Sequence, residues 1–403
     1  MTPVPLELPL RPSEASQLGN LILDQAERKP LTDEVRNRIA ARGAVLHLAT
    51  ITPYFGSLER DPVHPSAYYL AVDGAQGEPL LLYLALATAP TSSIFYKPLL
   101  IGRTRRANGP EMVINAVPFG PSDRENLAKF AAQVNTAFLP RPQGSRTAIA
   151  VGSLQPQIGL PAAFAAFRAI LKRTGKNLAA TCVPPGDVSA ADVCFAGLWA
   201  AIRAGWREGY SASARIDAVP ESLPAFSSFS IEPARDLPFT PEAFDLAGAI
   251  YEFSPDEIAQ LTARFAGGLK AACQLHETIR QRRSALKASR PFDLELALDG
   301  AGSFTTPKEL LFCLHWLRNR GHAAQLVAPD LGSADEPAGN LDELAAVARH
   351  YQCTLSIRGR AGYGPAVLER IARTTASRLH YTIAGELASR PGYIEFVAEH
   401  LLG

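Results

Sequence analysis

The sequence predicts an α/β protein: a (β/α)8 TIM-barrel-like domain with an N-terminal α+β region ahead of it and a helical insertion inside it. Three observations carry this expectation. Residues 292–329 read as strand, capped helix and strand, the βαβ signature of a parallel sheet. From residue 147 onward eight strand-length apolar runs occur, at 147–151, 178–183, 212–218, 226–231, 292–298, 323–328, 353–358 and 378–383, with helical stretches between most of them. Eight strands with crossover helices fit a closed barrel better than an open sheet of five or six. Finally, the connection from Ile231 to Phe292 is long enough to hold several extra helices.

In chain order, residues 1–20 are proline-rich and read as a surface segment, and a helix interrupted at Pro30 is expected over about 20–41. Strands are expected at 45–51, 68–72 and 80–86, separated by Pro, Gly and Asp turns and spaced closely enough to favour an antiparallel sheet. After a short strand from Met112, Ser122 and Glu125 form a capping-box pattern, and a helix should run through Leu127, Phe130 and Val134. Residues 1–140 thus form the α+β region, and 141–403 the barrel. Barrel helices are expected at 162–173, 190–207, 255–288, 307–319, 341–351 and 365–374. Thr306-Pro307 starts one of them, since the threonine can cap the helix and the proline loses nothing at its first position. The insertion, about 233–290, is expected to cover one mouth of the barrel or to build a homo-oligomer interface.

Composition excludes several classes of function. With 47% hydrophobic and 20% charged residues the chain is globular, and 40 basic against 39 acidic side chains leave no net field to attract nucleic acid or an anionic membrane. Cys182, Cys194, Cys273, Cys313 and Cys353 are dispersed without a CxxC, which reads as buried thiols in a cytoplasmic protein. Gly-x-Gly-x-x-Gly and Walker A patterns are absent, so no nucleotide cofactor is expected.

In a barrel, polar groups at strand C-terminal ends converge on one mouth. That rule selects Asp217, Glu232, Asp299, Arg358 with Arg360, and His380 or Thr382. Asp299 follows an apolar strand and precedes Gly300, the placement of a metal ligand, a general base or a loop-capping carboxylate. His380 and Thr382 share one side of their strand, facing either the lumen or a helix; Glu232 reads as an acid, a base or a solvated carboxylate. Arg215 lies within a strand, where burial without an anionic partner is expensive, so it faces solvent or answers a carboxylate from Asp217 or from a ligand. Together Arg215, Arg358 and Arg360 suit an acidic small molecule. The loop 138–146, rich in Pro and Gly, presents Arg141, Gln143, Ser145 and Arg146 either as an anion-contacting loop or as a linker. The GRAGYG cluster at 359–364 is an anion nest or a tight glycine turn. His276 and Glu277 fall on the insertion as packed helix surface, and no lysine ends a barrel strand to form a Schiff base.

Residues 113–145, and more clearly the C-terminal runs FDLELALDGAGSFTTPKELLF, CTLSIRGRAGYGPAVLERIA and RLHYTIAGELAS, resemble the bacterial tagaturonate epimerase family. That resemblance implies a barrel-like α/β fold and metal-dependent interconversion of keto-hexuronates such as tagaturonate and fructuronate. It matches Asp299 to the first of an acidic pair, with Gly300 replacing the second, and His380 to a family histidine, with Thr382 where a lysine is expected. Arg215 and Arg358 stand at histidine positions of the family, and Glu232 at an aspartate position. The expectation is therefore an epimerase- or isomerase-like protein acting on a keto-hexuronate or similar sugar acid. Asp299, His380 and Glu232 would move protons, while Arg215, Asp217, Arg358, Arg360 and Arg146 bind substrate. Asp299 and His380 would be the remaining ligands of a divalent ion (zinc, manganese or cobalt). The alternative is a non-catalytic sugar-acid-binding or scaffold protein derived from that family.

Overall fold

The computed structural model describes residues 10–26, 30–88, 99–105, 108–119, 124–152, 156–175, 179–183, 190–220, 223–233, 249–285, 290–299, 304–332, 340–359 and 362–402. Two compact units result, one comprising Met1–Leu139 with Leu198–Arg207, the other Pro140–Gly197 with Glu208–Gly403.

The first unit carries helices α1 (Pro12–Ala26) and α2 (Asp33–Gly43) on an antiparallel sheet of β1 (Ile51–Pro53), β2 (Glu59–Arg60), β3 (Tyr68–Gly74), β4 (Pro79–Leu86), β5 (Leu99–Arg105) and β6 (Glu111–Pro118). The spatial order is β1-β3-β4-β6-β5, with β2 also on β3. Alternation sends Leu70, Leu82, Leu84 and Ile114 into one core with Leu18, Ile22 and Ile39 from the helices. The intervening Tyr69 and Tyr83 stack at 4.8 Å on the other face, where Phe130 of α3 (Arg124–Gln133) meets Tyr69 at 5.3 Å. The strand expected at 45–51 is shorter than its apolar run. Only Ile51 joins the sheet, because the Glu14 carboxylate accepts hydrogen bonds from Ala49 N at 2.9 Å and Thr50 Oγ1 at 3.1 Å, donors a neighbouring strand would otherwise engage. Val45 is left 72% exposed. The Ser122 cap lies outside the described residues.

The second unit is a closed barrel of eight parallel strands. These are β7 (Ala148–Gly152), β8 (Ala179–Val183), β9 (Tyr210–Arg215), β10 (Ser228–Ile231), β11 (Asp293–Ala297), β12 (Leu326–Ala328), β13 (Thr354–Gly359) and β14 (Leu379–Ile383). Each pairs with the next in sequence, and β14 pairs with β7 to close the ring. The crossover helices are α4 (Pro156–Thr174), α5 (Ala190–Ala204), the 30-residue α6 (Pro255–Ser284), α7 (Pro307–Asn319), α8 (Leu341–His350) and α9 (Pro365–Thr375). Between β9 and β10 the described residues hold a short 3-10 turn, Leu223–Ala225. The chain ends in α10 (Gly385–Ala388) and α11 (Tyr393–Leu402), which the strand count did not anticipate.

Local chemistry explains the boundaries. At α7, Thr306 Oγ1 accepts from Glu309 N at 3.2 Å while Glu309 Oε2 accepts from Thr306 N at 2.7 Å, a complete capping box with Pro307 behind the cap. Ser254 and Glu257 repeat the device at α6. The insertion helix then packs Ala272 and Ile279 onto Ala212, Ala214, Phe229, Ile231 and Leu294, the outward residues of three adjacent strands. Gly268 has to be glycine there: a Cβ would lie 1.9 Å from the Pro233 carbonyl oxygen. Arg283 near the helix end fixes the return to the barrel by donating to the carbonyls of Leu223, Phe226, Arg290 and Pro291.

Candidate functional site

Because Tyr210, Ala212, Phe229, Ile231, Leu294, Leu296, Leu355 and Ile357 take the outward positions of their strands, the alternate residues line the lumen. These are Ser211, Ser213 and Arg215 on β9, Ser228 and Ser230 on β10, Asp293 and Glu295 on β11, Thr354, Ser356 and Arg358 on β13, and His380 and Thr382 on β14. A barrel core is ordinarily filled with branched apolar side chains. Here most of the lining is polar and buried, which costs stability unless each group finds a partner, and concentrates chemistry on the axis.

Toward the C-terminal ends of the strands, Arg358 makes two ion pairs with one edge of its guanidinium: Nη2 to Glu295 Oε1 at 2.5 Å and Nε to Asp299 Oδ2 at 3.1 Å. Ser230 Oγ donates to the same Glu295 oxygen at 2.7 Å, and Ser356 hydrogen-bonds this carboxylate as well. Burial alone would raise the Glu295 carboxyl, yet Arg358, the two serines and His380 together hold it below its ordinary value. Burial likewise disfavours the charged Arg358, and Glu295 and Asp299 reverse that and raise it. Nearby Arg215, the last residue of β9, places Nη2 2.9 Å from Glu232 Oε2 and 3.6 Å from Asp299 Oδ1. Its side chain remains 42% exposed, against 18% for Arg358. The sequence-selected Arg215, Glu232, Asp299 and Arg358 are thus brought together. Glu295 was missed as a site residue, although its place in the alternation of β11 and the strand-interior arginines both pointed to a buried carboxylate.

The other expected residues lie apart. Asp217 is exposed just beyond β9. Arg360 is outside the described residues, while Gly359 before it is backed by the Tyr381 hydroxyl, 2.2 Å from where a Cβ would sit. His380 is the second residue of β14, at the N-terminal end of the barrel, whereas Asp299 follows the C-terminal end of β11. Its ring hydrogen-bonds the backbone of Arg146 and Gly144, Nε2 has no hydrogen-bond partner among the described residues, and burial depresses its pKa to about 4, so the imidazole is neutral near pH 7. Arg146 is exposed in the loop before β7, on the same end as His380. That loop does contact an anion, but the anion is the chain's own: Gln143 N and Gly144 N donate to Asp293 Oδ2 at 2.7 and 2.9 Å, with Gly144 at φ +54°. On the insertion, His276 Nδ1 meets His322 Nδ1 at 2.8 Å, within the packed surface expected of that helix.

A divalent ion fits this donor set poorly. The buried carboxylates Glu295 and Asp299 are already bridged by Arg358, and His380 lies near the other end of the barrel. Among the described residues no group of three or more His, Cys, Asp or Glu side chains is arranged to hold a metal. Cys194, Cys273, Cys313 and Cys353 are free thiols, with burial pushing Cys353 up to about 12. No helix among the described residues is long and apolar enough to cross a membrane.

No protein-family model and no curated protein matches this sequence. In structure the chain is similar to the native crystal structure of fructuronate-tagaturonate epimerase UxaE from Cohnella laeviribosi, with a TM-score of 0.61 and 15% identity over 92% of this chain and 81% of that one. A glycerol-complexed crystal structure of the same epimerase gives 0.62 at 15% identity over 88% and 74%. At such identity the likeness establishes the fold.

Proposed function

We propose that the C-terminal mouth of the barrel binds a small polyhydroxylated acid, a keto-hexuronate or similar sugar acid, and interconverts it with an epimer by proton transfer. The observation that supports this best is Arg215. A guanidinium held in place by Glu232 and Asp299, yet still two-fifths exposed, is positioned to meet an incoming carboxylate at little ordering cost. Arg360, two residues beyond Arg358, would add a second positive charge. Inverting a hydroxyl-bearing carbon next to a carbonyl by proton transfer takes a base to remove the proton, an acid to return it, and positive charge near the carbonyl oxygen that becomes negative in the enolate between. Glu232 and Asp299 are the carboxylates at the mouth for the first two tasks, and Arg215 supplies the third. The fold shared with the fructuronate-tagaturonate epimerase supports the substrate class.

A second reading, a non-catalytic sugar-acid-binding or scaffold protein, is favoured by one specific observation. Arg358 engages Asp299 and Glu295 together, so Asp299 is already committed to an ion pair within the chain and Glu232 is left as the more accessible carboxylate. Proton NMR in heavy water with tagaturonate, fructuronate and a neutral ketose, with and without added manganese, cobalt or zinc, separates the readings. New product signals from the acids support epimerisation. Ligand-dependent line broadening without product supports the binding protein, and an absence of both overturns the site.

A further inference from the structure

We infer that Arg358 is the resident cation of this barrel, occupying with its guanidinium the position where two buried carboxylates would otherwise gather a divalent ion, so that a single side chain closes the site to metals. This concerns the barrel interior and holds whether or not the mouth turns over a sugar acid.

Glu295 and Asp299 have side chains only 7% and 5% exposed, the first within β11 and the second just past its C-terminal end, and two carboxylates so placed repel one another in a medium that screens poorly. Something positive has to lie between them. Arg358 arrives from β13, two strands away, and its Nε and Nη2 edge spans the gap, one nitrogen to each carboxylate. A guanidinium is well suited to this task because it is planar, stays charged when buried and offers paired donors with fixed spacing. The remaining demands of Glu295 are met by Ser230 and Ser356, so this carboxylate is committed inward and has little left to offer an ion. Counting formal charges, Glu232, Glu295 and Asp299 face Arg215 and Arg358, for a sum of −1. Without Arg358 the sum becomes −2, and the two deepest carboxylates face an opening of guanidinium size. Hard divalent cations are collected by that arrangement, and an imidazole at position 358 would complete three donors of the kind that hold zinc or manganese.

The test uses the full chain, stripped with a chelator and titrated with Mn²⁺ or Zn²⁺ while binding heat and thermal midpoint are followed. The wild-type protein is expected to bind no stoichiometric ion at the lumen and to keep its midpoint. Arg358→His is expected to take up one equivalent, with a midpoint raised by about 5–10 °C at roughly 100-fold excess over Kd. Adding Glu295→Gln to that variant is expected to abolish the uptake. If wild-type protein binds one equivalent that Glu295→Gln removes, Arg358 does not fill the cation position and the inference fails. It fails equally if Arg358→His folds and binds nothing. Should the variant not fold unaided, recovery of soluble protein is compared with and without metal in the refolding buffer: metal-dependent recovery supports the inference, and equal recovery overturns it.

Discussion

Each unit of this protein buries a guanidinium–carboxylate centre, and the two are built to opposite ends. In the N-terminal unit, Glu59 receives two arginines: Arg36 Nη2 at 3.1 Å, and Arg207 through Nη2 at 2.5 Å and Nε at 3.0 Å, with Asn135 Nδ2 at 2.9 Å completing the set. Backbone carbonyls of Leu58, Gly56 and Gly205 take up further donors of these arginines. In the barrel the ratio is inverted. One buried arginine answers two carboxylates, and a second arginine stands half in solvent beside a third carboxylate. Below them, His380 Nε2 and Ser228 Oγ have no hydrogen-bond partner among the described residues. A centre whose donors end on its own backbone is a staple, and it has nothing left for a ligand. A centre with a half-exposed guanidinium and unpaired polar atoms beneath has donors to spare, which is what a binding site needs.

That contrast predicts that the largest stability loss comes from the staple. Glu59→Gln takes away the buried counter-charge that Arg36 and Arg207 share and leaves them the solvent-exposed Asp33, and burial already pulls the Arg36 guanidinium below its ordinary value. Removing one partner of a buried pair costs about 3–5 kcal/mol. Urea unfolding of the variant should show a loss of that order, whereas titration with a hexuronate should give an affinity within about twofold of wild type wherever the fold persists. An unchanged unfolding midpoint would remove the distinction between the two centres.

Next in size is a pH effect rooted in the barrel floor. Burial lowers His380 to about 4 from an ordinary 6.5. Between those values the unfolded chain takes up a proton that the folded imidazole refuses. The contribution is therefore complete above about pH 6.5 and is lost as pH falls toward 4, at up to about 1.4 kcal/mol per pH unit. His276, also lowered to about 4 by burial and by His322, adds a second component of the same sign in the same window. His380→Asn should roughly halve the slope of stability against pH there. Glu295 acts lower down: its carboxyl is held below 4.5, so its contribution is present above that value and disappears as pH falls through the lower folded value. A slope unaltered by His380→Asn would mean that this histidine is not shielded from water.

These features differ in how far the sequence discloses them. The α7 start was legible at Thr306 and Pro307, because capping is local chemistry, and Glu309, three positions on, completes the box that the reading of this helix left out. The two-faced pattern of Asp293, Leu294, Glu295 and Leu296 was legible for the same reason, since a strand's period is local. Partners were not. Arg358 meets Glu295 across 63 positions of sequence, and whether a lumen residue sits near the mouth or the floor depends on strand register, which no local pattern encodes. His380 shows the consequence: alternation put it on one side of its strand with Thr382 but left lumen or helix open, and its level follows from pairing with Ser356 and Ala148, early positions on their strands. The Arg141–Arg146 loop fails differently. Its composition left an anion-contacting loop and a linker both open, and a carboxylate supplied 150 positions later could not be read from it. In the N-terminal unit, β5 was missed because LLIGRTR mixes apolar and charged positions around a bulge between Leu100 and Gly102, and Gly102 is required against Ala15.

The smallest expected change in stability belongs to Arg215, and it sharpens the comparison most. Its pair with Glu232 is partly solvated, so Arg215→Ala should move the unfolding free energy by no more than about 1 kcal/mol, the range of exposed ion pairs. Its effect on ligand is expected to be larger. A charge-assisted contact to a substrate carboxylate is worth about 1.5–3 kcal/mol, or roughly 10- to 100-fold in affinity, and this loss should appear for a hexuronate and be absent for the neutral ketose of the same skeleton. Calorimetric titration of both ligands against wild type and variant measures the difference directly. Equal losses for the two would assign Arg215 to holding Glu232 and Asp299 in place rather than to recognising the carboxylate.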